Sequence, residues 1–254
     1  MEPILKVENL TKVFTRKGQP DFTAVDHISF ELMPGECLGI IGESGSGKSS
    51  VANMITRLLD VTEGHILLGG EDITHAEGRP LKNAYRKMQM IFQTPAESFD
   101  PRCKLGDGVG ESLRNNGLSA AETRKEVERL LRKCGLTEKF ADRYPHQVSG
   151  GQCQRAAIAR ALAIKPKLLI CDEATSALDV TIQQEILELL NELRWKNGMD
   201  LSILFICHDI ALVQQFCNRV LVMYKGRIVE QGLPDDIIRN PKDDYTRRLI
   251  NSVL

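Results

Sequence analysis

The sequence predicts an α/β fold, a mainly parallel sheet covered by helices, with an antiparallel β edge and an α-helical lobe inserted into it. Three observations predict it. Short, mostly apolar runs at Glu36-Cys37-Leu38-Gly39-Ile40-Ile41, Leu168-Leu169-Ile170-Cys171 and Ile203-Leu204-Phe205-Ile206-Cys207 read as buried strands, and they alternate with helical patterns. The first run enters a glycine-rich loop and then a helix, with Val51, Ile55, Leu58 and Leu59 at helical spacing. From Pro95 to about Lys165 the strand pattern gives way to charged amphipathic and alanine-rich helices. The expected layout is one domain over 1–254, with an α/β core at 1–94 and 166–254 and the lobe at 95–165.

In chain order, Ile4, Val7 and Leu10 begin an extended segment. Ile28, Phe30 and Leu32 alternate with polar residues as a half-buried strand. Arg16-Lys17-Gly18-Gln19-Pro20 and Pro34-Gly35 are turn chemistry. Ile66-Leu67-Leu68 and Met88-Gln89-Met90-Ile91-Phe92 are further strands. In the lobe, Val127, Leu130, Leu131 and Cys134 mark one helix face, and Ala156 to Ala163 form a second helix. After the Leu168 strand, Ile182, Ile186, Leu189, Leu190 and Leu193 share a helix face, and Val220 to Glu230 form a hairpin turning at Lys225-Gly226.

Composition narrows the function. With 254 residues, 42% hydrophobic and 26% charged, the chain suits a soluble globular domain with a sizeable core. Its 33 basic and 34 acidic residues leave a net charge of −1, so nothing draws it generally to nucleic acid or anionic lipid. Met1-Glu2-Pro3-Ile4 lacks a basic and apolar leader, and no apolar run reaches the ~20 residues of a membrane span. The expected place is the cytosol, with any membrane reached through a partner. Cys37, Cys103, Cys134, Cys153, Cys171, Cys207 and Cys217 are scattered, without C-x-x-C pairs, and read as reduced thiols.

Gly42-Glu43-Ser44-Gly45-Ser46-Gly47-Lys48-Ser49 fits G-x-x-x-x-G-K-[ST] between a strand and a helix. Glycines let successive N–H groups turn inward as an anion nest, and the helix N-terminus, reaching Ser50, adds its free N–H groups and dipole. Lys48 supplies charge to the β- and γ-phosphates, and the Ser49 hydroxyl a ligand to Mg²⁺. The expectation is a bound nucleoside triphosphate. Asp172 and Glu173 end an apolar strand. Asp172 suits an Mg²⁺ ligand and Glu173 a general base; taken alone the pair would equally suit an acidic cap for the next helix, and the phosphate loop upstream favours the functional reading. Ser149-Gly150-Gly151, before the alanine-rich helix, reads either as a second anion-binding device or as an ordinary serine-capped helix start.

Val148-Ser149-Gly150-Gly151-Gln152, lying between the phosphate loop and the acidic strand end, resembles the signature motif of ATP-binding cassette (ABC) ATPases, a branch of the P-loop NTPases. The resemblance covers nearly the whole chain. It implies ATP and Mg²⁺ as ligands and assigns further residues: Phe14 as the aromatic on the adenine, with Phe22 a nearby competitor, and Gln93 as the Q-loop contact to Mg²⁺ and water. Ser176-Ala177-Leu178-Asp179 matches the D-loop, and His208 the switch histidine at the γ-phosphate. The catalytic set is then Glu173, His208, Gln93 and Lys48, with Ser49, Gln93 and Asp172 at the metal. The resemblance also implies a head-to-tail dimer, with the same or a related chain, in which Ser149–Gln152 of one subunit closes over ATP on the other.

Ile91-Phe92-Gln93-Thr94-Pro95 through Arg102, and Asn240-Pro241-Lys242-Asp243-Asp244-Tyr245-Thr246-Arg247-Arg248-Leu249, are similar to segments of the dipeptide, oligopeptide and nickel importer group. Thr94 departs from the usual Asp, Asp243-Asp244 from His-Pro, and Cys153 from a common Gln. The short tail is most similar to nickel or metallophore importers. The resemblance implies two transmembrane permease subunits docking near residues 93–114, an extracytoplasmic solute-binding protein, and a peripheral place on the cytoplasmic membrane face. A soluble ABC ATPase acting on nucleic acid or ribosomes is the alternative; no zinc hook, long coiled coil or basic arm supports it.

Overall fold

The computed structural model describes residues 2–15, 18, 20–174, 178–195 and 201–252. The expected turn residues Arg16, Lys17 and Gln19, and Ser176 and Ala177 of the D-loop, lie outside them. In chain order the elements are β1 (Leu5–Phe14), β2 (Phe22–Leu32), β3 (Cys37–Ile41), α1 (Lys48–Ile55), β4 (Glu63–Leu68), β5 (Glu71–Asp72), α2 (Gly78–Lys87), β6 (Met88–Ile91), α3 (Leu105–Asn115) and α4 (Ala120–Lys133). They continue with α5 (Gly150–Leu162), β7 (Leu168–Asp172), α6 (Val180–Trp195), β8 (Ser202–Ile206), α7 (Ile210–Phe216), β9 (Arg219–Tyr224), β10 (Arg227–Gly232), α8 (Pro234–Arg239) and α9 (Asp244–Asn251). Two compact units result, one of Met1–Met88, Lys167–Asp172 and Asp200–Leu254, the other of Gln89–Pro166 and Glu173–Met199. No helix among the described residues is long and apolar enough to cross a membrane.

In the first unit, strands run in the order β10-β9-β3-β8-β7. β3 is parallel to β8 and β9, β7 is parallel to β8, and β10 is antiparallel to β9. Every residue of β3 and β8 is buried, which is why both read as unbroken apolar runs rather than alternating ones. The expected antiparallel edge takes two forms. One is the β9–β10 hairpin, whose two-residue turn has Lys225 and Gly226 both at positive φ, the geometry that matches strand twist. The other is a separate four-stranded antiparallel sheet, β2-β1-β4-β5. Register shifts along β1, with Asn9 and His27 at positive φ, bend the long β1–β2 ribbon, and β4 takes its other edge.

α1 ends sooner than its apolar spacing suggests. Leu58 and Leu59 donate their N–H groups back to Asn53 O, Arg57 takes a positive φ, and Leu58 is 58% exposed. In the second unit, Val127, Leu130, Leu131 and Cys134 are all buried, as the helix pattern of α4 requires. That helix starts with a reciprocal capping box between Ser119 and Glu122. α6, with Ile186, Leu189, Leu190 and Leu193 buried, also belongs to this unit.

Candidate functional site

The first unit gathers the phosphate loop, Asp172 and His208 at one end of its parallel strands. Ile40 of β3 pairs with Ile206 of β8, and Ile206 pairs with Asp172 of β7. One row across three neighbouring strands therefore ends in Asp172, with Gly42 two residues past Ile40 and His208 two past Ile206. The C-terminal end of adjacent parallel strands is where open α/β sheets bind ligands.

The loop is shaped by close backbone approach. Gly42 has φ 150°, and a Cβ there would lie 2.2 Å from Met223 O; Gly47 has φ 104°, and a Cβ would lie 2.4 Å from Ala24 O. Only glycine fits both places. Gly47 is the N-cap of α1, in a left-handed conformation, and no side chain caps the helix there. Lys48 is 4% exposed and its Nζ donates to Gly42 O (2.7 Å) and Glu43 O (2.9 Å), which holds the ammonium against the loop. Ser46 Oγ is buried without a hydrogen-bond partner, while its N–H donates to Glu43 O and its carbonyl accepts from Gly226 N–H. Glu43, Ser44 and Gly45 are exposed.

Ser49 Oγ donates to Asp172 Oδ1 at 3.1 Å. One hydroxyl and one carboxylate are what an Mg²⁺ ion carried in with phosphates requires from a protein. Among the described residues no group of three or more His, Cys, Asp or Glu is placed to hold a metal ion. A glycine cradle, a helix start without a side-chain cap, a buried hydroxyl lacking a partner and a buried ammonium together fit a polyphosphate.

His208 is exposed beyond β8, and Asp209, not His208, caps α7 by accepting from Ala211 and Leu212 N–H. Phe14 stands at the end of β1 in the second sheet, half-buried, opposite Phe22, with Lys12 Nζ 5.2 Å from its ring centroid. Phe22 is 61% exposed, the more open of the two rings.

The second unit carries the remaining groups. Gln93 Nε2 donates to Glu173 Oε2 at 2.8 Å. Glu173 has φ 48°, a left-handed conformation uncommon for a non-glycine residue and a mark of functional turns. Ser149 and Gln152 form a capping box at the start of α5: Ser149 Oγ accepts from Gln152 N–H, and Gln152 Oε1 accepts from Ser149 N–H. The serine-capped start therefore holds, and it leaves Ser149 and Gly150 exposed at a helix N-terminus. Gly151 serves packing as well, since a Cβ there would lie 2.7 Å from Ile182 of α6. Asp179 accepts from Ile182 N–H and so starts α6.

Sequence reasoning missed Tyr245 as a neighbour of the loop. Its ring stacks on Tyr224, and its phenolic oxygen accepts the Glu43 N–H at 2.9 Å. Burial raises its pKa, keeping the phenol neutral.

Residues 25–176 match the family model described as ABC transporter. The oligopeptide transport ATP-binding protein OppF of Haemophilus influenzae is 43% identical over 250 residues, covering 98% of this chain and 74% of that protein. The glutathione import ATP-binding protein GsiA of Pectobacterium atrosepticum is 44% identical over 259 residues, covering 99% of this chain and 41% of that protein. The cassette MJ0796, solved as a dimer in a post-hydrolysis state with ADP and Pi, superposes with a TM-score of 0.82 at 30% identity, over 91% of this chain and 98% of that one. The order of motifs, the strand-end geometry and these likenesses agree: the chain belongs to the ABC transporter family, as an ATP-binding, ATP-hydrolysing cassette.

Proposed function

We propose that the chain is the motor subunit of a membrane importer of peptides, working at the cytoplasmic face with two permease subunits and an extracytoplasmic solute-binding protein. The solute class is supported by the names of the relatives, which favour peptides over nickel or metallophores. The single observation that carries the ATPase mechanism is the row Ile40–Ile206–Asp172, which supports one phosphate site built from the loop, Asp172 and His208.

In this mechanism the N–H groups of Ser44–Ser50 and the Lys48 ammonium bind the phosphate chain, while Phe14 stacks on the adenine. Ser49, Asp172 and Gln93 hold the metal ion. Mg²⁺, when bound, supplies charge that polarises the phosphoryl oxygens. Glu173, oriented by Gln93, takes the proton of the attacking water, and His208 contacts the γ-phosphate. A second copy of this chain contributes Ser149, Gly150, Gly151 and Gln152, whose exposed helix N-terminus adds N–H donors, and Asp179 lies in the adjoining D-loop. ATP binding then favours the closed dimer and hydrolysis releases it, a population shift passed to permeases that dock near residues 93–114.

Glu173→Gln tests the assignment. Gln keeps an oxygen that accepts from Gln93, so ATP affinity should stay within about two-fold, while turnover falls roughly 10²–10³-fold with the base removed. Hydrolysis at the wild-type rate would refute the role of Glu173.

A further inference from the structure

The C-terminal segment around Tyr245 has no part in the phosphate chemistry above, yet it reaches the loop. Tyr245 is 4% exposed and lies in the first turn of α9. That turn is pinned twice. Asp243 caps the helix by accepting from Tyr245 N–H at 2.8 Å, and the Glu230 carboxylate of β10 accepts from Lys242 and Asp243 N–H at 2.9 and 3.0 Å. The Tyr245 ring stacks on Tyr224 with centroids 4.0 Å apart and planes 23° from parallel.

So held, its phenolic oxygen accepts the Glu43 N–H at 2.9 Å. The carbonyl of the same residue accepts from Lys48 Nζ at 2.9 Å and from Ser46 N–H at 3.1 Å. Glu43 thus links the tail tyrosine, on its N–H side, to the phosphate-binding ammonium, on its carbonyl side. Glu43 is itself exposed, and without the tyrosine its N–H would have water as a partner.

We propose that Tyr245 is a positioning residue for the nucleotide loop, fixing the Glu43 residue and through it the carbonyl that carries the Lys48 ammonium. The inference rests on reading residues 42–49 as the ATP site. A loop released at Glu43 must be re-ordered by the nucleotide, so the loss falls on affinity rather than on the chemical step.

Tyr245→Phe keeps the ring and its stack on Tyr224 and removes one oxygen. The Kd for ATP and the KM should rise about five-fold, the effect of one net hydrogen bond, with kcat within about two-fold of wild type. Hydrogen exchange at the Glu43 amide should quicken while the α9 amides stay protected, and the melting temperature should hold. A purely structural tyrosine would lower the melting temperature and leave the split between KM and kcat unmoved. Wild-type ATP affinity and unchanged Glu43 exchange in the folded variant would overturn the proposal. In wild type, an unprotected Glu43 amide would overturn it independently of any variant. Lys48→Ala separates the two layers. If it binds ATP normally, the loop reading fails; if it loses ATP while Tyr245→Phe behaves as wild type, only the positioning role fails.

Discussion

Alanine at the three loop glycines Gly42, Gly45 and Gly47 should give two sharply different outcomes. Gly45 has φ 80° and no atom within 4 Å of a Cβ, so Gly45→Ala carries only left-handed backbone strain, about 1–2 kcal/mol. For a chain of this size that lowers Tm by roughly 2–8 °C. Gly42→Ala adds a contact: its Cβ would lie 2.2 Å from Met223 O. That carbonyl belongs to β9, held between β3 and β10, and does not yield as a side chain would. Reaching an ordinary carbon–oxygen separation of about 3.3 Å therefore displaces the loop by about 1 Å. A misplacement of about 1 Å in a reacting geometry costs on the order of 10²-fold in rate. Gly47→Ala, with Ala24 O at 2.4 Å, should behave like Gly42→Ala. Phosphate release and nucleotide titration, with Tm from circular dichroism, give the ranking. A Gly42→Ala enzyme at the wild-type rate, or a Gly45→Ala enzyme worse than both others, would refute the argument from space.

Two further outcomes follow from thiol burial and from one ion pair. Cys103 is exposed and the other six cysteines are buried, with burial pushing the Cys134 thiol up to about 12. Brief alkylation of the native protein should give one adduct at Cys103 by mass spectrometry, and fast modification of Cys134 or Cys171 would contradict the packing. In the second unit, hydrogen bonds from Arg124, then Lys104, hold the Asp142 carboxyl at about 2. A depressed carboxyl stabilises above its unfolded pKa and loses that contribution as pH falls through the folded value. The Tm deficit of Asp142→Asn at pH 7 should therefore be small and vanish near pH 2; a deficit independent of pH would show that the ion pair is not its source.

What could be read from the sequence was whatever local pattern encodes. The phosphate loop, Asp172 and His208 each follow a short apolar strand, and a strand's end is where a polar side chain in an open α/β sheet meets ligand. The buried strands were legible as short unbroken apolar runs, and the faces of α4 and α6 because one-sided burial imposes a period. Other features depend on distant chain segments. The Gln93–Glu173 hydrogen bond joins residues 80 positions apart, and the Tyr245–Glu43 bond residues 202 apart. No spacing rule reports either. The separate β2-β1-β4-β5 sheet escaped because a half-buried strand's alternation does not say which sheet it joins. Leu58 was misplaced because apolar spacing ran on past a helix that its own backbone had already closed. Gly151 shows one residue answering two needs, an open helix start and close packing against Ile182.

The central claim is that this chain's phosphate loop is half of a site which a second copy completes. Light scattering on Glu173→Gln with MgATP tests it most directly, since the variant should bind ATP and be unable to leave the closed state. The account predicts a mass of twice 28.4 kDa with ATP, returning to one chain when Ser149→Arg is added. A mass that stays at one chain under saturating ATP, or a dimer indifferent to Ser149→Arg, would contradict it.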